Sequence, residues 1–351
     1  MALTGFNHPP LAPGQIDAPH KMADLGELVL ESGGAIQDFR QSYVTHGQLN
    51  HEKSNAVLVC ISLTGNHHRL DFLIGPGKAL DPSRYFIIAA DPIGNGLSTS
   101  PSNSAAQHGM RFPRYGIRDM VNAQYRLLNE HLAIHRLHAV IGASMGGMQA
   151  LQWAVSHPEF MTHCVAMTPM ARTHPWAALV TEAARSCLMA DPAWNGNGFD
   201  AVPERGWRGY TAVMTALLSR TPMALEHSLT DFVAAHRWFD ELVARNRVNG
   251  FDAHDYLYQS WAYDAHDVGT TPGIHGDTAS ALATIRAKTL LLAPPLDLFN
   301  PAESARAAAA QIPGGKFVEI PSLQGHQAAS STQAEDAVFL NRAIGEFVGI
   351  A

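Results

Sequence analysis

Apolar residues along this chain fall into two rhythms that take turns. Short, strongly apolar runs occupy Asn55–Ser62, Tyr85–Ala90, Ala139–Ile141, Met161–Thr168, Thr289–Ala293 and Lys316–Ile320. Runs of that length, bounded by turn residues, predict strands, and those at Asn55–Ser62 and Ala139–Ile141 predict strands covered on both faces. Between them, apolar positions recur every three or four residues. Ile117, Met120, Val121, Leu128 and Leu132 mark a helix over 117–133, and Met148, Leu151 and Val155 mark another, closed by Pro158. Ala302–Gln311 reads as a further helix, and Ala337, Leu340, Ile344, Phe347 and Val348 share one stripe of a last one. Strands alternating with helices predict a mostly parallel sheet with right-handed crossovers. Ahead of that pattern, Leu28–Leu30 and Phe39–Val44 predict two antiparallel strands joined at Gly33-Gly34, while residues 1–24 read as a mobile arm.

From Ala171 to about Ala283 the alternation stops. Helical patterns take over at Trp176–Met189, Trp207–Ser219, Met223–Arg245 and Ala253–Tyr263, with almost no strand-like run. The expected organisation is one α/β core, residues 1–170 and 284–351, interrupted by a helical insertion at 171–283. The 351 residues are 46% hydrophobic and 16% charged, enough to bury a large core. A net charge of −7 argues against a nucleic-acid or anionic-membrane partner held by bulk electrostatics. No apolar run approaches the roughly 20 residues that a bilayer crossing needs. No basic region followed by an apolar stretch opens the chain, so no secretory signal is expected. Cys60, Cys164 and Cys187 are an odd count without C-x-x-C spacing, which makes a reduced, cytoplasmic protein the expectation.

The candidate chemistry starts where a predicted strand meets a predicted helix, at Gly142-x-Ser144-x-Gly146. A serine on so tight a turn is held in strained backbone geometry, and a Cβ two residues to either side would clash; glycine removes both clashes. A glycine-rich strand-to-helix turn is the plainer reading of such a short match. The flanking strand and helix are the context that points to a nucleophile. A serine hydroxyl needs a base to take its proton and a buried carboxylate to orient that base. Two later residues follow in the order acid, then histidine, each just past a predicted strand: Asp297 after Thr289–Ala293, and His326 after Lys316–Ile320. Taken alone, Asp297 reads equally as a cap for the helix near Pro301, and a lone loop histidine as a surface residue. Oxyanion donors are expected from the backbone N–H of Met145 and from Leu63, in the loop after Asn55–Ser62. His67-His68 lacks a second ligand pair at metal spacing and reads as a polar pocket rim. Asp91-Pro-Ile-Gly-Asn-Gly-Leu-Ser98 follows no phosphate-loop spacing and reads as a structural turn.

These residues resemble the homoserine O-acetyltransferase family of α/β-hydrolase-fold proteins. The likeness rests on Leu63-Thr-Gly65, Gly75-Pro-Gly-Lys-Ala-Leu80, Arg84-Tyr-Phe86, Arg118-Asp-Met-Val121, Gln124-Tyr-Arg-Leu-Leu128, Ser144-Met-Gly-Gly-Met-Gln-Ala-Leu151, Ala190-Asp-Pro-Ala-Trp-Asn195 and Asp252-Ala-His-Asp-Tyr-Leu-Tyr258. The resemblance implies an α/β-hydrolase fold and a Ser144/Asp297/His326 triad. It also implies oxyanion donors at Leu63 and Met145, a helical lid, and a homodimer built through that lid. Neither a cofactor nor a metal is implied.

Three departures bear on the acceptor. The family's lid helix carries Ala-Arg-Met, whose arginine binds the homoserine carboxylate; the best match here is Ala212-Val213-Met214. The family's Asp after the catalytic histidine is Gln327, and its Thr-Gly-Pro ending after the Tyr85–Ala90 strand is replaced by Gly94-Asn-Gly-Leu-Ser98. A zwitterionic acceptor would lose charge-assisted partners worth on the order of 1.5–3 kcal/mol each. The expectation is therefore a carboxylic ester hydrolase acting on short, acetyl, small-molecule esters. The alternative is transfer of acetyl from acetyl-CoA to homoserine or another hydroxyl acceptor.

Overall fold

Strands β1 (Lys21–Val29), β2 (Ala35–His46), β3 (Ala56–Cys60), β4 (Phe86–Ala90), β5 (Leu137–Ala143), β6 (Met161–Met167), β7 (Lys288–Ala293) and β8 (Lys316–Glu319) form one sheet. Their order is β1-β2-β4-β3-β5-β6-β7-β8 in a computed structural model that describes residues 10–248, 250–330 and 333–349. β1 pairs with β2, and β2 with β4, antiparallel; every later neighbour is parallel. This is the mostly parallel α/β sheet that the alternation predicts.

The first strand corrects one expectation. Lys21–Asp24, assigned above to the arm, pair with Arg40–Tyr43. Register shifts flank Gly26, which has a positive φ of 66°, and they offset buried Ala23 and Leu25 from Leu28. That bulge breaks strict alternation and hides the strand's first half from a period-two reading. The part of the arm at residues 1–9 lies outside the described residues.

Helices α1 (Ile117–Arg126) and α2 (Met145–Ser156) pack on one face of the sheet. A π-helical turn at Leu127–His131 continues α1, which is why its apolar spacing runs past Arg126. In the segment between β6 and β7 lie α3 (Pro175–Met189), α4 (Glu204–Tyr210), α5 (Pro222–Ser228), α6 (Phe232–Val248), α7 (Ala253–Asp264) and α8 (Thr278–Ala283). After β7 come α9 (Ala302–Gln311) and α10 (Ala334–Val348). Alternate residues of the central strands feed two separate cores. Leu58, Cys60 and Val140 pack with Trp153 of α2, whereas Val57, Val59 and Ile141 pack with Leu340 and Ile344 of α10. Both faces of β3 and β5 are thereby dry, consistent with their unbroken apolar runs.

The single helix expected over Met223–Arg245 is two. Thr221 caps α5 through its Oγ1 and Pro222 opens it, while Leu229 is extended and ends it. Asp231 Oδ1 then accepts the Ala234 N–H at 2.8 Å and starts α6. α4 runs directly into a π-helical stretch, Thr211–Leu218. Among the described residues no helix is long and apolar enough to cross a membrane.

Candidate active site

Ser144 leaves the carboxyl end of β5, at the centre of the sheet, with φ 55° and ψ −124°. Non-glycine residues rarely adopt that region, so the surroundings must hold it. They do so with two acceptors for its backbone N–H: Met167 O at 2.9 Å and Thr168 Oγ1 at 3.2 Å. The flanking glycines are a steric requirement. A Cβ on Gly142 would lie 2.1 Å from Gly146 O, and one on Gly146 would lie 2.3 Å from Cys60 O.

The loops after β7 and β8 bring Asp297 and His326 to this serine. His326 Nε2 lies 2.8 Å from Ser144 Oγ, and His326 Nδ1 lies 2.8 Å from Asp297 Oδ2. All three side chains are buried. The other carboxylate oxygen of Asp297 accepts the N–H groups of Phe299 (2.9 Å) and Asn300 (2.8 Å). That is the local turn chemistry by which an Asp fixes its own loop, so the capping reading and the triad reading hold for different oxygens of one carboxylate. The Phe299 ring packs edge-on against the His326 imidazole, with centroids 5.1 Å apart.

Met145 directly follows the same serine, and Leu63 lies in the loop after β3, next to Ser62, which reaches Ala143. Met145 opens α2, so its N–H has no partner within the helix. Leu63 follows β3, whose last residue, Cys60, pairs with Gly142. Three tethers hold the Leu63 loop, and sequence reading found none of them. Ser62 Oγ donates to Ala143 O at 2.8 Å. Gln149 Nε2 donates to Ile61 O at 2.9 Å and is itself held through Gln124 by Trp153 Nε1. From the opposite side, Gln259 Oε1 of α7 accepts the Thr64 N–H at 3.1 Å. Thr64 has φ 58°, a second non-glycine residue in the left-handed region. Gln124, Gln149 and Gln259 are fully buried in apolar surroundings, where an amide must find partners. A buried glutamine in an apolar helix stripe was the available signal.

α7 also reaches the acid loop. Tyr263 OH donates to Asn300 Oδ1, and Asn300 Nδ2 donates to Thr168 O at 2.7 Å. One helix of the inserted segment therefore touches both the Leu63 loop and the Asp297 loop. A second link runs from the π-helical stretch that carries Val213: Ser219 O accepts the Gln327 N–H at 3.1 Å. Tyr210, at the end of α4, shares a hydrogen bond with the Thr64 side chain, and burial pushes its phenol up to about 12.

Of the expected pocket rim, His68 lines a cleft and His67 does not. Both are buried, His67 with Nδ1 2.9 Å from Asp91 Oδ2 and His68 with Nδ1 2.7 Å from Asp71 Oδ2. Asp91 also accepts Ser42 Oγ at 2.8 Å and the His67 N–H at 2.9 Å. A buried carboxylate so fully occupied anchors the turn after β4, in keeping with the structural reading of that loop.

Residues 55–328 match the family model for the alpha/beta hydrolase fold. The chain is 33% identical over 329 residues to a probable esterase of Corynebacterium glutamicum, covering 89% of this chain and 90% of the relative. It is 33% identical over 344 residues to a homoserine O-acetyltransferase of Methanococcoides burtonii, covering 86% of this chain and 68% of that protein. The crystal structure of an acetylester hydrolase from Corynebacterium glutamicum superposes with a TM-score of 0.86 at 32% identity, covering 95% of this chain and 96% of that one.

Proposed function

The chain belongs to the alpha/beta hydrolase fold family, and from that premise we propose that it is a serine carboxylic ester hydrolase for short-chain, acetyl, esters. The observation that carries the proposal is the unbroken line Ser144 Oγ–His326–Asp297, with both links at 2.8 Å. Ser144 Oγ attacks the ester carbonyl carbon as its proton passes to His326 Nε2. Asp297 holds the Nδ1 tautomer and stabilises the imidazolium that forms. The carbonyl electrons move to the oxygen, which receives the Leu63 and Met145 N–H groups; losing one such donor typically costs about 2.7–4 kcal/mol of transition-state stabilisation. The C–O bond to the alcohol then breaks and His326 returns the proton to the leaving oxygen. Water, deprotonated by the same imidazole, resolves the acyl-serine to the free acid.

The acyl preference draws on Val213 and Gln327, which stand where the acetyltransferase pattern has charged acceptor-binding residues, and on the acetylester hydrolase likeness. A carboxylate brought to an uncharged valine would be desolvated without compensation. A second reading, acetyl transfer from acetyl-CoA to a hydroxyl acceptor, draws on the homoserine O-acetyltransferase relative. The same acyl-serine serves both, since only the second nucleophile differs. The test is a panel of p-nitrophenyl and alkyl esters of increasing acyl length, run on wild type and Ser144→Ala. Hydrolysis is expected to be fastest with acetyl and to fall by at least about 10³-fold in Ser144→Ala. A variant that kept a substantial fraction of activity would remove Ser144 from the chemistry.

The same family likeness leads us to propose a homodimer built through the helical segment, covering exposed Leu179, Phe232 and Val233. Light scattering coupled to size exclusion should read twice the 37.9 kDa chain mass; a monomer at assay concentration would reject it.

A further inference from the structure

A cleft of about 1520 Å³ lies beyond the Leu63 loop. Thr64 and Gly65 form part of its wall, but Ser144, Asp297 and His326 do not. Four cations line it: Arg40, Arg69, Lys78 and Arg342. Arg69 is the one set deepest. Its Nε donates to Ser62 Oγ at 3.2 Å, and its Nη groups find no acceptor among the described residues. Burial draws its pKa down to about 10, so it stays charged at neutral pH without a counter-charge. A partly buried guanidinium so placed is costly unless something pairs with it. The acids on the same walls are already engaged. Asp71 accepts His68 Nδ1 at 2.7 Å and the Ile16 N–H at 2.8 Å. Asp255 accepts the N–H and Oγ of Ser102, and Asp252 caps α7 through the His254 N–H. Burial, with Asp252 beside it, pushes the Asp255 carboxyl well up, toward its neutral form. None of the residues outside the described set has an acidic side chain that would change this balance.

We infer that Arg69 and the cleft in front of it form a binding site, separate from the Ser144 line, for a small molecule carrying a phosphate or carboxylate group. The planar guanidinium matches such an oxyanion with two parallel N–H donors. Arg40, Lys78 and Arg342 add long-range attraction at the cleft walls. The volume exceeds what a short ester occupies, so the cleft has room for the rest of a larger ligand. The inference does not depend on the proposed esterase activity.

The experiment is calorimetric titration of the full chain with inorganic phosphate and, separately, with succinate, in a low-salt buffer free of other oxyanions. Saturable binding of at least one is expected, and which one binds identifies the group recognised. Arg69→Gln should weaken it by about tenfold or more, the loss expected for a charge-assisted pair. Arg69→Lys, which keeps the charge but not the fork, should fall between, and it serves as the reading should Arg69→Gln not fold. Ser144→Ala should bind like wild type. Absence of binding of both anions at millimolar concentration would overturn the site. So would wild-type affinity in both Arg69 variants, or loss of binding in a folded Ser144→Ala.

Discussion

Gln259 holds Thr64 across 195 residues of sequence, its Oε1 accepting the Thr64 backbone N–H at 3.1 Å. The same side chain donates from Nε2 to Ile93 O at 3.1 Å, so both ends of the amide are committed. Thr64 is in the left-handed region, and it directly follows Leu63, the expected oxyanion donor. A strained loop keeps its geometry only while its surroundings insist on it. We propose Gln259 as a positioning residue, acting through Thr64 on the direction of the Leu63 N–H.

Gln259→Leu is expected to lower kcat about 10–100-fold while KM stays close to wild type, because an oxyanion donor acts in the transition state more than in the ground state. Gln259→Glu keeps the acceptor for Thr64, and burial favours the neutral carboxyl, whose O–H can donate to Ile93 O, so it should recover part of the rate. A general loss of fold would lower activity and thermal stability together in both variants. Steady-state kinetics beside thermal unfolding separate the two cases, and an unchanged kcat in a folded Gln259→Leu would sink the idea.

Asp297→Asn tests the orientation of the base. The Phe299 and Asn300 N–H groups require an acceptor at the Oδ1 position. An asparagine there must keep its oxygen toward them and turn its NH₂ toward His326 Nδ1. Two donors cannot face each other, so the imidazole takes the opposite tautomer and Nε2 carries a proton just where it should receive one. The loss in kcat is expected to approach the 10⁴-fold of such tautomer swaps. Hydrolysis rates on a p-nitrophenyl ester decide this. Full activity would move the acid away from Asp297.

Much of this arrangement was legible in the chain, for identifiable reasons. The strands that lead to Ser144 and Asp297 are largely dry on both faces and so carry nearly unbroken apolar runs, whereas β8, before His326, is a half-exposed edge strand. Gly142 and Gly146 have no tolerable alternative, since a Cβ at either would overlap backbone. What stayed hidden depends on contacts between distant segments. Gln149 and Gln259 look like ordinary helix residues until the fold sets Ile61 and Thr64 against them. The first half of β1 was lost to the bulge at Gly26. His67 reads as part of a polar pocket rim because its buried partner, Asp91, lies 24 residues away, while Asp71 sits only three residues from His68.

Acid sensitivity should trace in part to His157. Its ring stacks on Tyr125 with centroids 4.3 Å apart, its Nε2 has no partner among the described residues, and burial lowers its pKa from 6.5 to about 4. Below 6.5 the unfolded chain takes up a proton that the folded chain refuses. The contribution to stability is therefore fully present above pH 6.5 and falls progressively as pH drops toward 4. His157→Phe removes the titrating group while keeping a flat ring against Tyr125. The fall in Tm between pH 7.5 and pH 5 should be smaller in the variant than in wild type. Equal falls would show that His157 does not titrate across this window.

We propose that Val213 and Gln327 decide the acceptor. Both lie on the path that joins the inserted segment to the His326 loop: Val213 sits in the π-helical stretch, and Gln327 donates its backbone N–H to Ser219 just beyond that stretch. Given acetyl-CoA and homoserine, the wild-type enzyme is expected to release free acetate from simple alkyl acetates at a rate that homoserine does not change. Val213→Arg with Gln327→Asp should depress hydrolysis of neutral esters, because two charges enter a site that now desolvates none. Charges of opposite sign on neighbouring walls can also pair with each other, so transfer to homoserine is not a required outcome of the double variant. The wild type carries the decisive measurement. O-acetylhomoserine formed faster than acetate would replace ester hydrolysis with acyl transfer as the reaction of this triad, and would mean that some other residue supplies the charge that Val213 lacks.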